Sequence, residues 1–235
     1  MLKYKILLWD LDDTIFDFKK CEHDAIVSSF RLFNQTISDE SIALYSKINE
    51  GYWKRLERQE ISREEVLVGR FCALFEALHK TDLNPAAFQG VYHTELGKQA
   101  FLLDGAEEVL GACKDMGYLN YAVTNGIGET QTNRIRKAQL EPFFEDVFIS
   151  EIIGAEKPSR QFFDAVFTQI ELRNGEKVNR KESLLIGDSL TSDMLGVKNA
   201  GIDTAWMNIR KRENNLNLRV TYELPALPDL LAILA

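Results

Sequence analysis

Ile6-Leu7-Leu8-Trp9-Asp10-Leu11-Asp12-Asp13-Thr14 is a short apolar run that breaks into three carboxylates and a hydroxyl. The consecutive apolar residues fit a buried strand of a parallel sheet. In open α/β sheets the carboxyl end of such a strand faces the ligand crevice. Carboxylates packed this closely repel one another, so they persist where a proton or a cation neutralises part of the charge.

Downstream, Ile15-Phe16-Asp17-Phe18 leads into a long stretch of helical periodicity whose one proline between residues 20 and 98 is Pro85. Ile26, Phe30 and Phe33 share a helical face, as do Phe71, Leu74, Phe75 and Leu78, so an insert of roughly four or five helices is predicted. The texture changes at Phe101-Leu102-Leu103-Asp104-Gly105. A helix is expected from Ala106, with Glu107 and Glu108 in its first turn, where the macrodipole favours acids. Strands at 119–124, 146–149, 183–187 and 204–207 then alternate with helices at about 129–138, 159–170, 192–200 and 227–234. Such alternation implies parallel strands joined by right-handed crossovers. With 4–9 as the first strand, the expected fold class is α/β, a doubly wound parallel, Rossmann-like sheet interrupted by an all-helical domain. The expected boundaries are 1–16 and 101–235 for the α/β core and 17–100 for the helical insert.

Composition narrows the function. A formal charge of −8, with 45% hydrophobic and 27% charged residues, is ordinary globular usage. It leaves no general footprint for a nucleic acid polymer or an anionic membrane. The apolar run before Asp10 is too short for a signal peptide or a membrane span. Cys21, Cys72 and Cys113 are widely spaced and form no Cys-x-x-Cys pair, so small thiols in a reducing cytoplasm are expected. His23, His79 and His93 all fall in the helical insert, which argues against a histidine-based zinc site or a serine triad.

Other polar residues stand at the ends of the expected strands. Thr124-Asn125-Gly126 follows 119–123 and leads into a helical pattern, which suits a phosphate-binding turn better than a hairpin. Gly187-Asp188-Ser189 follows 183–186, and Lys157 stands just ahead of a helix opened by Pro158. Asp10 and Asp12 can face one crevice, one as nucleophile or metal ligand while the other exchanges protons. Asp10, Asp12, Asp188 and Asp193 bring up to four negative charges against the one positive charge of Lys157. A hard divalent cation such as Mg²⁺, held by carboxylates, a backbone carbonyl and waters, would restore the balance. The segment Arg210-Lys211-Arg212-Glu213-Asn214-Asn215 reads as a solvated loop, with a substrate or partner contact as the alternative.

The ordered set Asp10-Leu11-Asp12-Asp13-Thr14, Thr124-Asn125, Lys157-Pro158 and Gly187-Asp188 with Asp193 resembles the motifs of the haloacid dehalogenase superfamily over nearly the whole chain. The resemblance implies that the insert is a helical cap and that Asp10 attacks phosphorus to form an aspartyl-phosphate. It implies that Asp12 protonates the leaving oxygen and later deprotonates water, that Thr124 and Asn125 donate to phosphate oxygens, and that Lys157 bridges nucleophile and phosphoryl group. The implied Mg²⁺ ligands are Asp10, the main-chain carbonyl of Asp12 and Asp188, with Asp193 further out. Two departures stand out: Asp13 occupies a position often held by glycine, and Asp104-Gly105 stands where Pro-Gly is frequent.

The Asp-Leu-Asp-Asp-Thr form, the segments Asn49–Glu57 and Glu60–Glu65, and Ala205-Trp206-Met207-Asn208 are similar to the house-cleaning pyrimidine 5′-nucleotidases of this superfamily. That likeness implies hydrolysis of nucleoside 5′-monophosphates, including modified pyrimidine ones; a cytoplasmic monomer or homodimer whose partner is a small-molecule phosphate ester is expected. It implies a cap over the phosphate site, with hinges near residues 16–20 and 100–104 and with Trp53, Arg58 and Arg70 as candidate base or ribose contacts. A sugar-phosphate or phosphoglycolate phosphatase, a phosphoglucomutase-like enzyme, a dehalogenase and a catalytically silent binding module are the competing readings.

Overall fold

In the computed structural model, which describes residues 3–235, the opening apolar run forms β1 (Ile6–Trp9) at the middle of a six-stranded sheet. The other strands are β2 (Leu119–Thr124), β3 (Asp146–Ile149), β4 (Ser183–Gly187), β5 (Asp203–Met207) and β6 (Tyr222–Leu224). Their spatial order is β3-β2-β1-β4-β5-β6, and every neighbouring pair runs parallel. All four residues of β1 are buried, as a strand covered on both faces requires. The chain winds outward through β2 and β3 on one side of β1 and through β4, β5 and β6 on the other, so β1 borders the topological switch point. Trp9 is level with Ala122 of β2 and Ile186 of β4, which brings the ends of the three strands together.

The chain divides into two units. One holds the residues up to Asp17, Leu102–Gly128 and Ala138–Ala235; the other holds Phe18–Phe101 and Glu129–Lys137. The helical unit contains α1 (Phe18–Leu32), α2 (Asp39–Glu57), α3 (Arg63–Ala77) and α4 (Pro85–Gly97). Local sequence sets their starts. Ser38 caps α2, Ser62 and Glu65 form a capping box on α3, and Asn84 caps α4 ahead of Pro85. The expected apolar faces meet in an aromatic core in which Phe30, Tyr45, Phe71, Phe75, Phe88 and Tyr92 are all buried. Tyr45 stacks on Phe71 at 5.5 Å, and each such side chain contributes roughly 1.5–3 kcal/mol on burial.

The α/β unit adds α5 (Ala106–Asp115), α7 (Ser150–Ile153), α8 (Arg160–Asn174), α9 (Leu195–Ala200) and α10 (Leu230–Leu234). Helix α6 (Gly128–Lys137) is different, because from Glu129 onward it groups with the helical unit. The boundaries read from sequence left it in the core. Its segment Gly-Glu-Thr-Gln-Thr-Asn-Arg-Ile-Arg-Lys has no apolar stripe, so periodicity could not assign it. A buried Arg134, held by Gln131 of its own helix at 2.9 Å, makes the attachment instead by donating to the Gln99 carbonyl at 3.1 Å. Among the described residues no helix is long and apolar enough to cross a membrane.

Candidate active site

β1 delivers Asp10 one residue beyond its last strand position, and the Asp10 amide still donates to the Ile186 carbonyl of β4 at 2.9 Å. The chain then turns sharply, with the amides of Ile15 and Phe16 both reaching the Leu11 carbonyl, at 2.9 and 2.8 Å. Asp13 sits in that turn at φ 58°, a left-handed conformation in which glycine is easiest and aspartate is among the tolerated side chains. Its carboxylate accepts from Arg210 Nη2 at 2.8 Å. The acid that stands in place of glycine thus has a partner that the sequence reading did not assign.

Asp10, Asp188 and Asp193 converge at the strand ends, each offering a carboxylate oxygen within 4.8 Å of the others. Asp10 and Asp193 are buried and Asp188 is half-buried, and the buried Lys157 reaches into them. Its Nζ donates to Asp10 Oδ1 at 2.6 Å, to Asp193 Oδ1 at 2.7 Å and to the Val123 carbonyl at 3.0 Å. An ammonium has three N–H donors, and these three acceptors use them. Thr14 donates to the other Asp10 oxygen at 3.2 Å, and the Ser189 amide to the other Asp193 oxygen at 3.1 Å. A Cβ at Gly187 would collide with the Asp193 carboxylate, so the glycine ending β4 makes room for that acid. The helix expected at 192–200 begins instead as a π-helical turn, Leu190–Met194, before α9; the wider turn carries Asp193.

Asn125 has an unexpected place. Its side-chain amide donates to the Lys157 carbonyl and accepts from the Lys157 amide, both at 2.9 Å, so it clasps the lysine's backbone as a neighbouring strand would. Thr124 Oγ1, at the end of β2, accepts from the Gly126 amide at 3.0 Å and shapes the turn. Asp12 is half-buried beside the site, but its carboxylate is not one of the three that converge. Of the cap candidates, Arg70 is buried and bonded to Asn49 and His93, Arg58 is exposed and paired with Glu60, and Trp53 is half-buried. The loop read as solvated brings Arg212 to Asp188, with Nη2 2.7 Å from Oδ2. Alternation of strands and helices carries no signal for that contact.

Charge explains the titration of the group. Burial, with Asp13 and Asp193 nearby, pushes the Asp188 carboxyl up to about 7 against the opposing pull of Arg212. Burial and the Asp193 and Asp188 charges raise Asp10 well above the usual carboxylate range, against Lys157. Burial works against the Lys157 ammonium, but the Asp10 and Asp193 charges outweigh it and the group is raised. Three acids in oxygen-only geometry with an excess of negative charge are the donor set of a hard divalent cation, and Asp10, Asp188 and Asp193 are the side chains that could hold one.

Known proteins are similar to this chain over most of its length. The sequence profile described as haloacid dehalogenase-like hydrolase matches residues 7–207. The pyrimidine 5′-nucleotidase PynA of Streptococcus pneumoniae is 37% identical over 97% of this chain and 94% of its own length. The pyrimidine 5′-nucleotidase YjjG of Escherichia coli is 26% identical over 97% of both chains. A magnesium-bound crystal structure of the HAD-hydrolase YfnB of Bacillus subtilis is 36% identical over 99% of both chains and superposes with a TM-score of 0.91. A doubly wound parallel sheet, acids and a lysine gathered at its strand ends, and a profile match across most of the chain make this protein a member of the haloacid dehalogenase-like hydrolases.

Proposed function

We propose that this hydrolase is a phosphomonoesterase that works through an aspartyl-phosphate on Asp10, with pyrimidine nucleoside 5′-monophosphates as its substrates. The observation that carries the chemistry is Lys157 bonded to both Asp10 and Asp193 within a three-carboxylate cluster at the strand ends. Phosphoryl transfer asks the protein chiefly for in-line positioning and neutralised oxygens. The substrate class rests on the 37% identity to PynA over nearly the whole of both chains.

Asp10 attacks phosphorus, forming the P–Oδ bond as the bond to the ester oxygen breaks. Asp12 gives its proton to that leaving oxygen. A water then attacks phosphorus, Asp12 takes its proton, and the Asp10 carboxylate is released with inorganic phosphate. Lys157 neutralises the Asp10–phosphoryl contact, Thr124 donates to a phosphate oxygen, and Asn125 serves by fixing the Lys157 backbone as well as by facing the phosphate. Mg²⁺, held by Asp10, the main-chain carbonyl of Asp12 and Asp188, with Asp193 behind them, would supply the further positive charge that a phosphate dianion needs beside three acids.

The test is phosphate release with Mg²⁺ across UMP, dUMP, dTMP, glycolate phosphate and glucose phosphates. Pyrimidine monophosphates should lead, and D10N should abolish turnover on all of them. Preference for sugar phosphates over every nucleotide would overturn the substrate assignment, and undiminished turnover by D10N would overturn the mechanism.

A further inference from the structure

The connection from β5 to β6 places a second cation against the acidic cluster. Arg212 Nη2 donates to Asp188 Oδ2 at 2.7 Å and to the Asp188 carbonyl at 2.8 Å, and Trp206 Nε1 donates to the same carbonyl at 2.9 Å. An exposed arginine on a loop is ordinarily a weak partner. This one is built in. The buried Asn208 accepts from the Arg212 amide at 2.7 Å and donates to the Arg212 carbonyl at 2.9 Å. That is the clasp by which Asn125 holds Lys157. Asn208 is fixed in turn by its amide's bond to the Leu224 carbonyl, 2.8 Å, and its side chain's bond to Glu223, 2.6 Å. Two residues earlier, Arg210 pins the same loop to Asp13. Two asparagines thus hold two cations against the acids, and the second cation bonds an acid that the proposed function assigns to a metal.

We propose that Arg212 is a positioning residue that sets the metal affinity of the cluster: it shares Asp188 with the incoming cation, weakening divalent binding while steadying the metal-free acids. Lys157 and Arg212 together leave the three carboxylates with one uncompensated charge, whereas Lys157 alone would leave two. A divalent ion approaching Asp188 therefore meets both a repelling guanidinium and an oxygen already in use. The inference rests on the metal role proposed for Asp188.

The experiment is calorimetric titration of MgCl₂ into chelator-stripped protein, with the melting temperature of the stripped protein read in parallel. R212Q should bind Mg²⁺ more tightly than wild type by on the order of tenfold, and its metal-free form should melt at a lower temperature. R212K keeps the charge and should return to within about threefold of wild type. R219Q removes the same charge from an exposed site on the same connection and should bind as wild type does. If R212Q binds no more tightly than wild type, or R212K binds as tightly as R212Q, the assignment of Arg212 fails while the metal reading stands. If wild type takes up no Mg²⁺, the metal reading itself fails and this inference with it.

Discussion

Burying an ammonium ion costs several kcal/mol unless its charge and all of its donors are answered. Lys157 shows how this chain meets that cost: three donors, three acceptors, two of them carboxylates that would repel each other without it. The raised pKa of Lys157 records which effect wins, the carboxylates over desolvation. Removing one member of a buried ion group is costlier than never having built it, because the partners remain charged and unpaired. K157M should therefore lose about 3–5 kcal/mol in urea unfolding at pH 7.5 and lower kcat by on the order of a thousandfold or more. A stability loss below about 1 kcal/mol would mean that Asp10 and Asp193 find water or protons instead, and that the triad is not the buried unit described here. The roles proposed for Asp10, Asp12, Lys157 and Asp188 come from the resemblance that their ordered motifs carry, and the positions of these residues at a strand end or ahead of a helix could be read from residue type and order. Arg210 and Arg212 could not. Their partners lie 197 and 24 residues away, and a run of charges in a loop has the same composition whether it faces water or acids.

At the level of elements, legibility follows the strength of the periodic signal. The apolar runs of β1, β2 and β4 and the aromatic stripes of α1 and α3 locate themselves. The three-residue β6 and the π-helical turn at Leu190–Met194 do not, because one is too short for a period and the other exists to seat Asp193. The four helices of the insert carry a second pattern that no hydrophobic period reports, a buried polar chain with one link per helix. Glu22 of α1 accepts from Asn49 of α2 at 2.7 Å, Asn49 accepts from Arg70 of α3 at 2.6 Å, and Arg70 lies 2.9 Å from Nε2 of His93 on α4. Gln89, one turn earlier on α4, lies 2.8 Å from the other ring nitrogen. Nε2 can accept from Arg70 only while it is unprotonated. Burial, reinforced by the Arg70 cation, accordingly holds His93 down to about 3. The unfolded chain takes up the proton near pH 6.5 and the folded chain does not until far lower. This contribution to stability is therefore complete above about pH 6.5 and is lost as pH falls toward 3, by up to about 1.4 kcal/mol per pH unit. Urea unfolding of wild type and H93Q at pH 7, 6, 5 and 4 isolates it: the wild-type advantage should shrink steadily toward pH 4. A constant difference across that range would show that His93 titrates alike in both states.

For the molecule as a whole, the chain folds so that acids from its first tenth and its last quarter meet beside one lysine, a concentration of charge that the metal-free protein must bear. The Asp188 carboxyl, pushed up to about 7, marks the strain. A carboxyl raised in the folded state favours folding below its unfolded pKa, and that contribution disappears as pH rises through the folded value. Without metal, Asp188 therefore works against the fold at pH 8. Replacing it by neutral Asn should leave the stripped protein at least as stable as wild type at that pH, although the Arg212 contact is lost. The response to metal should go the other way. A ligand that binds only the folded state at a hundred times its dissociation constant adds about 2.7 kcal/mol, worth several degrees in a protein of this size. Millimolar Mg²⁺ should thus raise the melting temperature of wild type by several degrees, EDTA should reverse the rise, and D188N should show almost none of it. Melting followed by tryptophan fluorescence suits the measurement, because Trp9 and Trp206 both lie in the α/β unit beside the acids while Trp53 belongs to the helical one. If D188N kept the full Mg²⁺ response, the cation would be held elsewhere, and the role proposed for the three converging carboxylates would fall.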